Sequence, residues 1–299
     1  MKVRDTLKGF FRRPVPCALL AVLCWIGFVN IIGEGLTVAD PYLGDTLAYD
    51  LQVVCDIGFM SLYVLWLRKR MGNGFAIGIR FDNLGKGLAM CGVTLAIIVY
   101  NGWESIQIFC NMPMELSVGE FFFALMDQVL GGLHPGVTEE YMCRVILMGI
   151  IMHLAVGKKN RLALAVGVSS GLFGALHLIN ILSGASVVTT LFQVLYATAI
   201  GMLFAAVYAR TRNIIATMIV HSLIDMSGGC YTNFYPDLSA DRLEFVQKIP
   251  LSAATVSIAV AVMCLAAALF LLRPSKHHEI EACWGSLAVA EDAVESSAV

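Results

Sequence analysis

The sequence predicts an all-α fold, a polytopic membrane bundle of about eight transmembrane helices with the N- and C-termini in the cytoplasm. Its 299 residues are 58% apolar and only 14% charged, and their mean hydropathy is +0.77. A soluble domain is closer to half apolar and a quarter charged. The net charge of −2, without a basic stripe interleaved with aromatic residues, argues against a nucleic-acid partner. We therefore expect a lipid bilayer around the chain and a multi-pass location in a bacterial plasma membrane.

Eight apolar runs approach the roughly 20 residues that a helix needs to cross the hydrocarbon core. The predicted spans are 17–38, 48–67, 87–102, 137–155, 162–182, 187–208, 214–230 and 251–272. A further apolar stretch, 120–133, is short, contains Asp127, and is closed by the helix-breaking residues Gly131, Gly132, Pro135 and Gly136. These features favour an interfacial or re-entrant helix over another span.

The basic residues give the predicted orientation. Of the 20 lysines and arginines, only Arg242 and Lys248 fall in predicted external loops, and Arg144 falls inside the membrane. Because cytoplasmic loops are enriched in Lys and Arg, both chain ends are predicted inside and 103–117 outside. A span at 120–133 would reverse every later loop, which is a second reason to predict that it does not cross.

Three ionisable residues stand at the head of the fourth predicted span: Glu139, Glu140 and Arg144. Ionisable groups in a membrane helix are costly to bury unless they are paired or face a wet cavity, so they are functional candidates. In an α-helix Glu140 and Arg144 share a face at i and i+4, whereas Glu139 points about 100° away. We expect Glu140 and Arg144 to form a structural ion pair and Glu139 to be free for chemistry.

Two more pairs of candidate residues, each with a histidine, lie on later spans at a similar predicted depth. Phe173 and His177 are one turn apart on the fifth span, and His221 and Asp225 are one turn apart on the seventh. The predicted topology places both histidines and Glu139 in the outer half of the membrane. We therefore expect the three helices to bring these groups to one pocket.

Small residues could let the helices approach closely around such a pocket. Gly167 and Gly171 form one small-residue pair, with Gly174 near the same face, and Gly201 with Ala205 forms another.

This set of residues suits hydrolysis of a peptide bond by an activated water. Glu139 is the candidate base, His177 would share or hold the water, and His221, oriented by Asp225, would stabilise the oxyanion. Glu139, His177 and His221 could instead hold a zinc ion with a water in the fourth position. No HExxH motif stands in the chain to decide between the two, so the cofactor stays open between zinc and none.

The motifs EExxxR at 139–144, FxxxH at 173–177 and HxxxD at 221–225 resemble those of the CPBP family, also called Abi or CAAX-protease-like intramembrane proteases. The best-known members are the type II CAAX prenyl endopeptidases. The resemblance implies that Glu139 and His177 activate water and that His221 and Asp225 form the oxyanion site. The position of Asp225 is most often asparagine in that family, and an aspartate donates a hydrogen bond only when it is protonated.

The resemblance covers about 118–232 and so divides the chain. The predicted regions are an N-terminal transmembrane region of about three spans (1–117), a CPBP-like catalytic core (118–232), and an external loop, last transmembrane helix and disordered cytoplasmic tail (233–299).

The chain is predicted to be an intramembrane endopeptidase that hydrolyses peptide bonds of a peptide or membrane-protein substrate. A non-catalytic immunity or binding protein on the same fold is the alternative, and a proton-coupled transporter is a third class, against which the absence of an internal repeat in the sequence argues. Because the predicted site lies towards the external face, a non-prenyl substrate is expected.

Overall fold

The structure is a computed structural model that describes residues 13–37, 45–72, 75, 77–236, 238, 246 and 251–284, with the backbone alone for 28–37 and 45–46. Within these residues the fold is all-helical and has no strand, as predicted. The helices are α1 (Pro14–Thr37), α2 (Asp45–Met71), α3 (Leu84–Met90), α4 (Thr94–Asn111), α5 (Val118–Glu140), α6 (Gly149–Leu154), α7 (Arg161–Leu176), α8 (Ile179–Leu182), α9 (Val187–Thr211), α10 (Ile214–Ser227), α11 (Ala253–Leu271) and α12 (277–284), with a π-helical segment at Tyr141–Met148.

Four helical stretches of the described chain are long and apolar enough to cross a membrane. They are Leu47–Met71, Arg161–Leu182, Val187–Thr211 and Ala253–Leu271. α3 and α4 pass the same test together but are bent by 71°, so the number rises to five if that pair is one span. An all-helical chain with several membrane spans is therefore confirmed, whereas the eight spans and the cytoplasmic ends stay predictions.

The prediction of one span at 87–102 followed by an external loop at 103–117 is wrong in its boundaries. α3 ends at Met90, a turn follows, and α4 continues to Asn111, through most of the predicted loop. The extra turns are amphipathic, since Ser105 and Ile108 are buried while Trp103 is exposed. An apolar stripe at helical spacing favours continuing the helix when a neighbour covers that stripe.

The predicted break between an interfacial helix at 120–133 and a span at 137–155 is also absent. α5, the π-helical segment and α6 follow one another from Val118 to Leu154 without a non-helical residue, over roughly 55 Å at 1.5 Å per residue. Ser117 caps the start of α5 in a capping box with Glu120. Pro135 lies inside α5, which is tolerated because packed neighbours stabilise the helix despite the missing backbone hydrogen bond.

Two glycines near that proline explain why the helix is uninterrupted. A Cβ on Gly136 would lie 2.7 Å from the backbone nitrogen of Ser222, and one on Gly132 would lie 2.9 Å from the carbonyl oxygen of the same residue. Real Cβ contacts are never this short, so only glycine lets α10 cross α5 at this distance. The residues that looked like helix breakers in the sequence are thus the contact surface of α5 for α10.

The small-residue pairs predicted on the later helices are only partly in contact. Gly174 and Gly201 lie where α7 meets α9, since a Cβ on them would approach Val194 to 2.9 Å and Phe173 to 3.1 Å. A Cβ on Gly167 or Gly171 would meet nothing within 4 Å. The Gly167–Gly171 pair therefore does not form the close helix contact that its spacing predicted.

The tail that was predicted to be disordered begins with an ordered helix. α12 packs on the bundle with Ile280 and Trp284 buried, and the Trp284 indole donates a hydrogen bond to the carbonyl oxygen of Ala209 at 3.0 Å. Apolar residues at i and i+4 supply the stripe that docks this helix. The first residues (1–12), most of the predicted external loop (237, 239–245, 247–250) and the last residues (285–299) lie outside the described residues.

Candidate active site

The ion pair expected at the head of the fourth span is present. Arg144 Nε lies 3.3 Å from Glu140 Oε2, and both side chains are fully buried. The guanidinium lies between two aromatic rings, 4.7 Å from the centroid of Phe173 and 5.6 Å from that of Phe204, and donates from Nη2 to the Gly201 carbonyl oxygen at 3.3 Å. Arg144 therefore links the π-helical segment to α7 and α9 and compensates the buried charge of Glu140.

Glu140 also holds His221, which the sequence did not predict. His221 Nδ1 lies 3.2 Å from Glu140 Oε1, and the ring is 6% exposed. Because an ionised carboxylate only accepts hydrogen bonds, Nδ1 is the donor in this contact. The orientation of the ring is thereby fixed, with Nε2 directed at the two other acids of the site.

Those two acids are Glu139 and Asp225. Asp225 Oδ2 lies 3.4 Å from His221 Nε2, and Glu139 Oε2 lies 3.9 Å from the same atom. Their side chains are 34% and 33% exposed, against 0% for Glu140. The two adjacent glutamates therefore differ as predicted, one being paired in the interior and the other accessible.

His177 caps the C-terminus of α7 at the edge of the same site. Its Nδ1 lies 3.0 Å from the carbonyl oxygen of Phe173, an acceptor, so that nitrogen carries the hydrogen and the neutral ring presents the lone pair of Nε2. Phe173 packs edge-on against both imidazoles, with centroids 5.7 Å from His177 and 5.5 Å from His221. One aromatic ring thus separates the two histidines, and Asp225 lies within electrostatic range of both of them and of Glu139.

A cavity of about 700 Å³ adjoins these groups, a volume within the usual range for ligand sites. Phe173, His177, His221 and Asp225 line it, whereas Glu139 is not part of its wall and reaches the site beside His221. Polar side chains from α4, α9 and α11 also line it: Tyr100, Asn101, Thr189, Gln193, Tyr196 and Ser257. The cavity is therefore a largely apolar cleft with polar groups at several points of its wall.

The zinc alternative does not fit the geometry of the described residues. Among them, no group of three or more His, Cys, Asp or Glu side chains is arranged to hold a metal ion. Glu139, His177 and His221, the predicted ligand set, are therefore not brought to one point.

Several residues of the site were missed from the sequence. Glu140 was assigned only to Arg144, because nothing local relates it to His221, 81 residues later. Asn101 and Gln193 were not singled out, although a lone amide in an apolar run was a signal for each. Gln193 is held in place by Asn180, whose Nδ2 donates to its Oε1 at 2.9 Å.

Part of the chain matches a known protein family. Residues 121–227 match the family model described as type II CAAX prenyl endopeptidase Rce1-like. No curated protein and no solved structure matches the chain. The matched segment contains all six residues singled out from the sequence, from Glu139 on α5 to Asp225 on α10. The match supports assigning residues 121–227 to the CPBP, or CAAX-protease-like, family.

Proposed function

We propose that this protein is an intramembrane endopeptidase that hydrolyses a peptide bond with a water activated by Glu139 and His177. The family suggests membrane protease activity in general. The observation that carries the proposal is that the carboxylates of Glu139 and Asp225 both lie within 4 Å of His221 Nε2, beside a cavity that His177 also lines.

In the proposed mechanism Glu139 takes a proton from water as the water oxygen attacks the scissile carbonyl carbon. The lone pair of His177 Nε2 accepts the other hydrogen of that water and fixes its position. When the C–N bond breaks, the proton held by Glu139 passes to the leaving amine, so that the base is regenerated. A partly exposed carboxylate suits this role because it must both meet water and release the proton.

His221 is proposed to donate from Nε2 to the oxyanion that forms on the carbonyl oxygen. This requires a ring with both nitrogens protonated, and the carboxylates of Glu140, Asp225 and Glu139 around it favour that form. Asp225 would then orient and charge-balance the ring as an acceptor. Glu140 and Arg144 are positioning residues, since both are fully buried and lie behind the imidazole.

The substrate is proposed to be a peptide or a membrane protein. The apolar walls of the cavity suit a segment that enters from the bilayer, and the amides of Asn101 and Gln193 suit hydrogen bonding to an extended backbone. The charge bias of the sequence, which favours a site towards the external face, supports an exported or membrane-embedded chain over a prenylated cytosolic one.

The test is cleavage of a quenched-fluorescent peptide library by the purified protein in proteoliposomes. Glu139→Gln removes the base while keeping the shape of the side chain, and we expect cleavage to fall roughly 10²- to 10⁴-fold. Glu115→Gln, which removes the same charge from an exposed position in the 112–117 connection, should cleave like the wild type. Equal cleavage by wild type and Glu139→Gln, with both proteins folded by thermal melting, would refute the proposed base.

A further inference from the structure

A ladder of stacked aromatic rings runs between α1 and α2, from the buried Trp25 to the exposed Trp66. Trp25 stacks on Tyr63 with centroids 6.2 Å apart, and Tyr63 stacks on Trp66 at 5.8 Å. The Tyr63 hydroxyl donates to the carbonyl oxygen of Ala21 at 3.0 Å, which fixes the level of one helix against the other. Because only residues 38–44 separate the two helices, they run antiparallel.

The ladder forms one wall of a groove of about 340 Å³. The groove is lined by Cys24, Trp25, Phe59, Leu62, Tyr63 and Trp66. It opens to the outside of the bundle, since Leu62 is 61% and Trp66 49% exposed. None of these residues lines the cavity of the candidate active site, so the groove is separate from that site.

A basic rim lies at one end of this groove. α2 ends in Arg68, Lys69 and Arg70, and the guanidinium of Arg70 lies 5.6 Å from the Trp66 ring centroid. Phe59, Leu62, Tyr63, Trp66 and Arg70 follow one another at helical spacing on a single face of α2. Arg13 is exposed just before α1. Tyr63 contacts Ala21, and the two helices run in opposite directions, so the start of α1 lies beside the end of α2. Arg13 is therefore at about the same height along the bundle as Arg70.

We propose that this groove binds one anionic phospholipid, with its phosphate at Arg70 and Arg13 and an acyl chain along Trp66, Tyr63 and Trp25. A groove that is apolar along its length and cationic at one end is complementary to a molecule with an acyl tail and an anionic head group. Amphipathic aromatic rings next to a basic cluster are also the side chains found at the interface between the hydrocarbon core and the head groups. The inference does not depend on the proposed protease activity.

The test is native mass spectrometry of the full chain in micelles that hold equal amounts of phosphatidylglycerol and phosphatidylcholine with the same acyl chains. The wild type should retain phosphatidylglycerol in preference. Arg70→Gln should lower the ratio of the two bound lipids about fivefold, since a basic residue near the membrane surface attracts an anionic lipid by about that factor. Trp66→Ala should lower the occupancy of phosphatidylglycerol by removing the wall of the groove.

Arg68→Gln is the matched control. It removes the same charge from the same turn of α2, but Arg68 points about 160° away from Arg70 around the helix axis. It should change the lipid ratio less than twofold, and all variants should elute and melt as folded protein.

Three outcomes would overturn the proposal. Equal effects of Arg68→Gln and Arg70→Gln would show that the basic residues attract anionic lipid without a defined site. If the wild type showed no preference for phosphatidylglycerol, there would be no head-group site at Arg70. A dimer that Trp66→Ala dissociates, with no change in bound lipid, would assign this face to a second copy of the chain.

Discussion

At the scale of single residues, Glu139 and Glu140 have different surroundings because one step along a helix turns the side chain by about 100°. That step places Glu140 against Arg144 and His221 in the interior and leaves Glu139 a third exposed. Glu140 compensates two cationic side chains at once, so its buried charge is balanced on both sides. Its position behind His221 predicts an effect on turnover and none on substrate binding.

Glu140→Gln tests that positioning role. The amide oxygen can still accept from His221 Nδ1, but the charge that stabilises the doubly protonated ring is lost, and Arg144 remains buried without a counter-charge. We expect kcat to fall by about 10²-fold with KM unchanged, because Glu140 does not line the cavity. The measurement is the steady-state kinetics of cleavage.

Glu140→Asp is the companion variant, since it keeps the charge on a shorter side chain and should recover part of kcat. If Glu140→Gln raised KM and left kcat unchanged, the buried glutamate would act on substrate binding and its assignment as a positioning residue would be wrong.

At the scale of helical elements, the candidate active site depends on how α5 and α10 cross. Gly132 and Gly136 bring the α10 backbone at Ser222 into direct contact with α5. His221, the residue before Ser222, thereby reaches the end of α5, where Glu139 and Glu140 are. The change to π-helix at Tyr141 also lies here, as is common for such segments at functional sites.

Gly136→Ala should disrupt this crossing. The added methyl group has no room against Ser222, and overpacking of this kind costs about 1–3 kcal/mol. We expect a lower melting temperature in detergent together with a loss of cleavage, because His221 is displaced from both glutamates.

Gly167→Ala is the matched control, since a Cβ at that helical position meets nothing within 4 Å. It should melt at or slightly above the wild-type temperature, because alanine is favoured over glycine in a helix by roughly 0.5–1 kcal/mol. Equal destabilisation by the two variants would show that the α5–α10 contact has no special role.

At the scale of the whole molecule, segments outside the family match hold the ends of its helices together. Trp284 on α12 contacts Tyr208 and Arg212, with distances of 5.5 Å between ring centroids and 5.0 Å from guanidinium to ring. Arg161 at the start of α7 pairs with Glu281 at 2.8 Å. The C-terminal helix therefore joins α7 to α9, the two helices that carry Phe173, His177 and the cavity wall.

Trp284→Ala should loosen that connection. Removing a large buried aromatic side chain costs about 3 kcal/mol or more, and we expect a clearly lower melting temperature with activity lost at a lower temperature than in the wild type. His278→Ala, at an exposed position of the same helix, should melt within a degree or so of the wild type. An unchanged melting temperature for Trp284→Ala would contradict a stabilising role for α12.

The parts of the protein that follow from local chemistry could be predicted from its residues in order. Apolar runs predict membrane helices, helical spacing predicts the Glu140–Arg144 ion pair and the accessibility of Glu139, and the three motifs point to the family whose model matches residues 121–227. Each of these depends on residues within one or two turns of each other, and spacing along a helix is enough to relate them. The exact number of spans could not be obtained in this way, because amphipathic turns such as those of α4 lengthen or bend a helix when a neighbour covers them.

The remaining features depend on contacts between residues that are far apart in the chain. Glu140 meets His221 across 81 positions, α4 and α11 contribute walls of the cavity, and no described arrangement of the predicted zinc ligands forms a metal site. Gly132 and Gly136 were read as breakers because their helix propensity is lower by about 1 kcal/mol each. Packing of α10 against them outweighs that local preference, and such a balance is set only once the helices are assembled in three dimensions.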